Sequence, residues 1–185
     1  GNFYYDGAKV ETLPGDYARS GLKRGLNMHA HLGVNPFKFG LIGSTDSHTG
    51  LATADEDNFF GKFVYGEPHA HRWGPWTETA KRAGWEWAAS GLAAVWAEEN
   101  TREAIFDAME RREVYGTTGP RIVLRFFGGW DFASNDVDRG PLAEIGYAKG
   151  VPMGSDLPPR SQNSSPSFLV SAFKDPDSGN LDRIQ

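Results

Sequence analysis

Cysteine is absent from all 185 residues. That excludes disulfides, thiolate zinc sites and cysteine nucleophiles, and it leaves the redox compartment open. Basic excess is also missing. The formal net charge is −5, which speaks against a nucleic-acid backbone as partner and suits a chain that gathers cations. No apolar run approaches the ~20 residues that cross a bilayer, so no membrane partner is expected. No signal-peptide pattern opens the sequence, and no internal repeat runs through it. Localisation is left undecided. Aromatic residues, by contrast, are plentiful: twelve Phe and six Trp predict a substantial core or a cleft walled by rings. The chain opens at Gly1 without Met and stops at Ile184-Gln185, just as an apolar–polar alternation begins. Both ends lead us to expect a piece of a longer protein.

The stretch from Phe37 to Gly50 carries the clearest chemical signal. An apolar run, Phe39 to Ile42, is short enough for a buried strand and ends in small polar residues. Asp46 and His48 follow, two residues apart. In extended chain such residues share a face, so a carboxylate and an imidazole converge on one point. A metal ion or an acid–base pair requires that arrangement. The plainer alternative makes Asp46 a turn cap and His48 a surface histidine. Two other histidine pairs compete. His29 and His31 sit near the end of an expected helix, where i and i+2 diverge by about 200° and cannot chelate one ion; the helix dipole accounts for them. His69 and His71 lie in a loop beside Pro68 and Arg72.

Along the chain, residues 1–16 read as loop. A helix is expected from Tyr17 to about His31, ended by Gly33. An aromatic, glycine-rich loop covers 51–76, and a short helix 77–89. Gly91 to Ala97 reads as a buried strand. Asn100 and Glu103 form a capping-box pattern before a helix that would bury Ile105, Phe106 and Met109. Val114 to Thr117 is the next strand, and strand, helix, strand predicts a parallel βαβ unit. Strands follow at 121–127 and 167–173, with a turn at 175–179 and no helix beyond 120. The fold class is therefore α/β, with an α/β domain over 1–120 and an antiparallel β module over 121–185.

Four stretches together resemble one family: Asn35 to Gly50, Glu56 to Lys62, Trp96 to Phe106, and Tyr115 to Ile122. They are similar to a bacterial family of unknown function related to the PHP (polymerase and histidinol phosphatase) metal-dependent phosphoesterases. PHP domains are distorted (β/α)7 barrels that bind two or three divalent metals at the carboxyl ends of their strands. The resemblance implies that residues 1–120 are the carboxyl-terminal part of such a barrel, followed by the start of a β module. Asp46 and His48 match the family's late Asp-x-His ligand motif. His29 and His31 copy the letters of its amino-terminal His-x-His but stand too close before the late motif to take that role.

The expected activity is metal-dependent hydrolysis, most simply of a phosphoester, with metal-bound hydroxide as nucleophile. The fragment alone is expected to be inactive. Asp46 and His48 would hold the ion (Zn, Mn, Mg or Fe). Thr45, Ser47 and Thr49 would orient them, and Arg121 would approach a phosphate on a small-molecule substrate. Two other readings stand beside this one. An amidohydrolase-like enzyme would use the same ligand types on a C–N or C–O bond, and a carbohydrate- or ligand-binding module would do no chemistry. A barrel lacking its early strands is also expected to self-associate or to dock on the missing part.

Overall fold

The computed structural model describes residues 4–5, 8–9, 15, 17–50, 53, 55, 59–64, 70, 73–74, 86–159 and 165–184. Two compact units divide the chain, Gly1–Phe39 and Gly40–Gln185. The residues on both sides of position 120 belong to the second. Helix and antiparallel sheet are mixed throughout.

In the first unit, β1 (Tyr4–Tyr5) pairs antiparallel with β2 (Ala8–Lys9), where loop was expected. Helix α1 runs over Ala18–Leu32 as its spacing predicts. Gly33 closes it in the left-handed region (φ 75°), with its N–H on the His29 carbonyl at 2.9 Å. Gly25 is the buried residue of α1, and a Cβ there would overlap the Asn35 side chain.

In the second unit, residues 40–47 do not form the expected buried strand. Leu41 is half exposed and Ile42 is 64% exposed. Two glycines explain the course of this segment. A Cβ on Gly43 would stand 2.5 Å from the Leu92 carbonyl oxygen and 2.8 Å from that of Thr117, and one on Gly116 would stand 2.6 Å from the Gly43 nitrogen. The segment crosses the next two strands at backbone contact and joins no ladder.

Those strands are β3 (Ala93–Val95) and β4 (Val114–Gly116), with α2 (Arg102–Glu110) between them. They pair antiparallel, Val95 opposite Val114, which overturns the expected parallel βαβ unit. Arg112 adopts φ 61° just past the helix, and Glu113 turns straight back to accept from the Trp96 N–H at 3.0 Å. The helix is thus the loop of a wide hairpin. Thr101, not Asn100, is its N-cap, accepting from the Ala104 N–H at 3.2 Å. Ala108 is the residue α2 buries; Phe106 is 64% exposed, and Met109 is exposed too.

The last sheet has the order β6-β5-β7, all antiparallel: β5 (Val123–Gly129), β6 (Gly150–Pro152) and β7 (Ser167–Phe173). Beyond 120 the chain also forms a 3-10 turn (Ser134–Asp138) and helix α3 (Leu142–Lys149), where no helix was expected. Phe127 is fully buried beneath α3. A Cβ on Gly146 would come within 2.5 Å of its ring, and Tyr147 packs edge-on at 5.0 Å between centroids. Asp136, also enclosed, accepts from Lys149 Nζ at 2.6 and 2.8 Å and from the Ala133 N–H. The expected loop 51–76 and helix 77–89 lie largely outside the described residues.

Candidate functional site

Ser44 Oγ accepts from the Asp46 N–H at 3.1 Å, and Thr45 Oγ1 accepts from the Ser47 N–H at 3.3 Å. Two hydroxyl-closed turns in succession hold Asp46 at φ 56°, a left-handed conformation that aspartate tolerates better than most residues. The chain is then fixed to 61–62: the His48 N–H donates to the Lys62 carbonyl at 2.8 Å, and Thr49 Oγ1 donates to the Gly61 carbonyl at 2.5 Å.

This frame brings Asp46 Oδ1 within 3.3 Å of His48 Nε2. The two side chains are 62% and 52% exposed, so the pair opens to solvent. His48 stands edge-on to Phe63 at 4.4 Å, and Phe63 edge-on to Trp87 at 5.9 Å, which fixes the imidazole from behind.

Lys62 completes the cluster. Only 3% exposed, it donates to Asp46 Oδ2 at 2.9 Å, Ser90 Oγ at 3.1 Å and the Thr45 carbonyl at 3.3 Å. One acceptor for each ammonium proton is what makes a buried lysine tolerable. The Lys62 hydrogen bond and charge, and then His48, hold the Asp46 carboxyl below its ordinary 3.8. Asp46 is therefore an ionised carboxylate with one oxygen committed to Lys62 and the other turned to His48. Ser47 Oγ is enclosed and has no hydrogen-bond partner among the described residues.

Of the residues singled out from sequence, Asp46, His48, Thr45, Ser47 and Thr49 come together here. Arg121 joins a different cluster. Its guanidinium pairs with Asp55 at 3.0 Å, and its backbone N–H donates to Asp175 Oδ2 at 2.5 Å. That N–H, and then the Asp177 N–H, hold the Asp175 carboxyl below its usual range. His31 bonds the Asn27 carbonyl within α1 at 2.8 Å; His69 and His71 lie outside the described residues. Lys62 and Ser90 carried no sequence signal as site residues, being 16 and 28 residues from their partners in the cluster.

A metal ion was expected at Asp46 and His48. Two donor atoms 3.3 Å apart can both lie ~2.1 Å from one ion, subtending about 100°, between the octahedral and tetrahedral angles. The pair therefore fits two positions of a coordination sphere. Among the described residues no group of three or more His, Asp or Glu side chains is placed to hold a metal.

Fold and site define a mixed α/β protein with an exposed carboxylate–imidazole pair backed by a buried lysine. The chain belongs to a family of proteins of unknown function, DUF3604, whose match spans residues 4–185. No curated protein and no solved structure matches it.

Proposed function

We propose that the chain contributes Asp46 and His48 to the divalent-metal centre of a hydrolase acting on phosphoesters. The observation that carries this is the 3.3 Å convergence of Asp46 Oδ1 and His48 Nε2 on a solvent-open edge. Asp46 offers a hard oxygen and His48 a nitrogen, a donor set suited to Zn, Mn or Fe, with Mg drawn chiefly to the oxygen. When bound, a dication would supply hydroxide near neutral pH and offset charge on phosphoryl oxygens. The chain's own residues do the positioning. Lys62 restrains Asp46 Oδ2 and leaves Oδ1 facing His48, Phe63 fixes the imidazole plane, and Thr45 and Ser44 hold the turn. Further ligands would come from beyond the described residues. Placing this chain in a PHP-type barrel rests on the sequence resemblance, since the described strands pair antiparallel.

Titration with Mn²⁺ tests the site directly, because the ion broadens NMR signals of nearby amides. Residues 45–49 should broaden selectively, and Asp46→Asn and His48→Ala should each abolish the effect. Once the remaining ligands are supplied, hydrolysis of p-nitrophenyl phosphate or its bis-ester should require the ion and stop in EDTA. Broadening that survives both substitutions, or that spares 45–49, would refute the assignment. Metal-dependent turnover of amides with no turnover of phosphoesters would keep the site and replace the substrate class.

A further inference from the structure

A second cluster of charged and aromatic groups lies where the β3–β4 hairpin meets β5, α3 and β6. A cavity of about 500 Å³ opens there, lined by Trp96, Arg111, Glu113, Arg125, Tyr147 and Pro152, with Glu98 on its wall. At its base Glu113 is 5% exposed and receives the Tyr147 hydroxyl on Oε1. Arg125 stands 3.9 Å from the same oxygen, and Arg111 lies 3.5 Å from Oε2. The Arg125 guanidinium rests on the Trp96 ring, 3.4 Å from its centroid, and donates to Tyr147 Oη at 2.9 Å. Trp96 is itself fixed through its indole N–H on the Leu124 carbonyl at 2.9 Å.

Two features of this arrangement point to a ligand. A guanidinium has five N–H donors. Arg125 directs Nη1 to Tyr147, and Arg111 directs Nη2 to the Trp96 carbonyl and Glu113; their other donors have no acceptor among the described residues. The charges are also unequal. One enclosed carboxylate faces two guanidiniums, whereas Glu98 is exposed and its charge is screened by solvent. We infer that this cavity binds the oxyanion group, phosphate or carboxylate, of a small organic molecule. Arg111 and Arg125 would grip the anion with forked donors, and the body of the molecule would lie against Tyr147 and Pro152. The volume falls in the range of small-molecule sites. Its residues are separate from Asp46, His48 and Lys62, so it stands or falls independently of the metal centre.

Calorimetric titration of the chain decides the matter with four probes: phenyl phosphate, benzoate, inorganic phosphate and phenol. At least one aromatic anion should bind saturably, phenol should not, and added salt should weaken the binding. The choice between phenyl phosphate and benzoate identifies the anion. Arg111 is half exposed, so Arg111→Met should fold normally by its melting curve and weaken binding tenfold or more. Arg139→Met, which does not alter the cavity lining, should leave binding unchanged. Arg125→Lys keeps the charge without the fork and should also weaken it. Equal binding of phenol, no saturable binding of either aromatic anion, or undiminished affinity in folded Arg111→Met would each overturn the inference.

Discussion

Lys62 carries its charge into a space almost closed to water, and its nearest anionic partner, Asp46, is itself mostly exposed. The consequence can be measured. In Lys62→Met the Asp46 carboxyl should titrate closer to the ordinary 3.8, followed by NMR of its side-chain carbon. An unmoved titration would assign the depression to His48 instead. The folded-state value lies below the unfolded one, so this carboxylate contributes stability that is present above pH 3.8 and is lost as pH falls through the depressed value. Denaturant midpoints should therefore fall on the acid side, and less steeply in Lys62→Met than in the parent chain. Asp136, held low chiefly by Lys149, and Asp175 add to the same acid limb. At this scale the meeting of Asp46 and His48 was read from the wrong geometry: extended chain was expected to align them, whereas a left-handed turn at Asp46 brings them together. Lys62 and Ser90 were not legible, since nothing in a linear pattern reports an encounter across a folded loop. Arg121 was read by its place after a turn, and long-range pairing with Asp55 sends its guanidinium elsewhere.

Helix α2 shows how elements can be recognised while their ends and faces are misjudged. Asn100-Thr101 offers two residues able to cap, and the backbone selects Thr101 by placing its Oγ1 on the Ala104 N–H. Thr101→Ala should cost about 1 kcal/mol and lower the melting temperature by ~2–4 °C, whereas Asn100→Ala should leave it nearly unchanged. The reverse order in thermal melts would return the cap to Asn100. Helix α1, its glycine stop and strand β7 match their expected spans because each shows a strong local signal. The orientation of β4 beside β3 depends on the turn at Arg112 with its positive φ, and arginine gives no hint of that conformation. Helix α3 escaped because it is eight residues long with Gly146 inside it, a poor helix former by propensity. The glycine is there for Phe127, whose ring lies against it. Phe127→Ala should cost about 3–5 kcal/mol by urea denaturation. Gly146→Ala should also destabilise, since its methyl would meet that ring; a neutral result would show that α3 can shift away.

For the whole molecule, the mixed helix-and-sheet class was readable from alternating elements, but the antiparallel pairing was not. None of the described helices is long and apolar enough to cross a membrane. Large apolar side chains stand exposed, among them Leu26, Leu32, Ile42, Phe106 and Phe173. Such surface favours association, so light scattering should show mass rising with concentration above the 20.3 kDa of one chain; a constant monomer mass would refute this. The central strand of the last sheet has a further consequence, in time instead of space. β5 finds one neighbour in β6, but its full-length partner is β7, and their nearest paired ends are 38 residues apart in sequence. Closing a loop of that length costs entropy before any rung of the ladder forms, and non-local pairings of this kind slow folding. During synthesis, one edge of β5 must wait unpaired until Ser167–Phe173 has been made, and throughout that interval it is open to any other strand that passes.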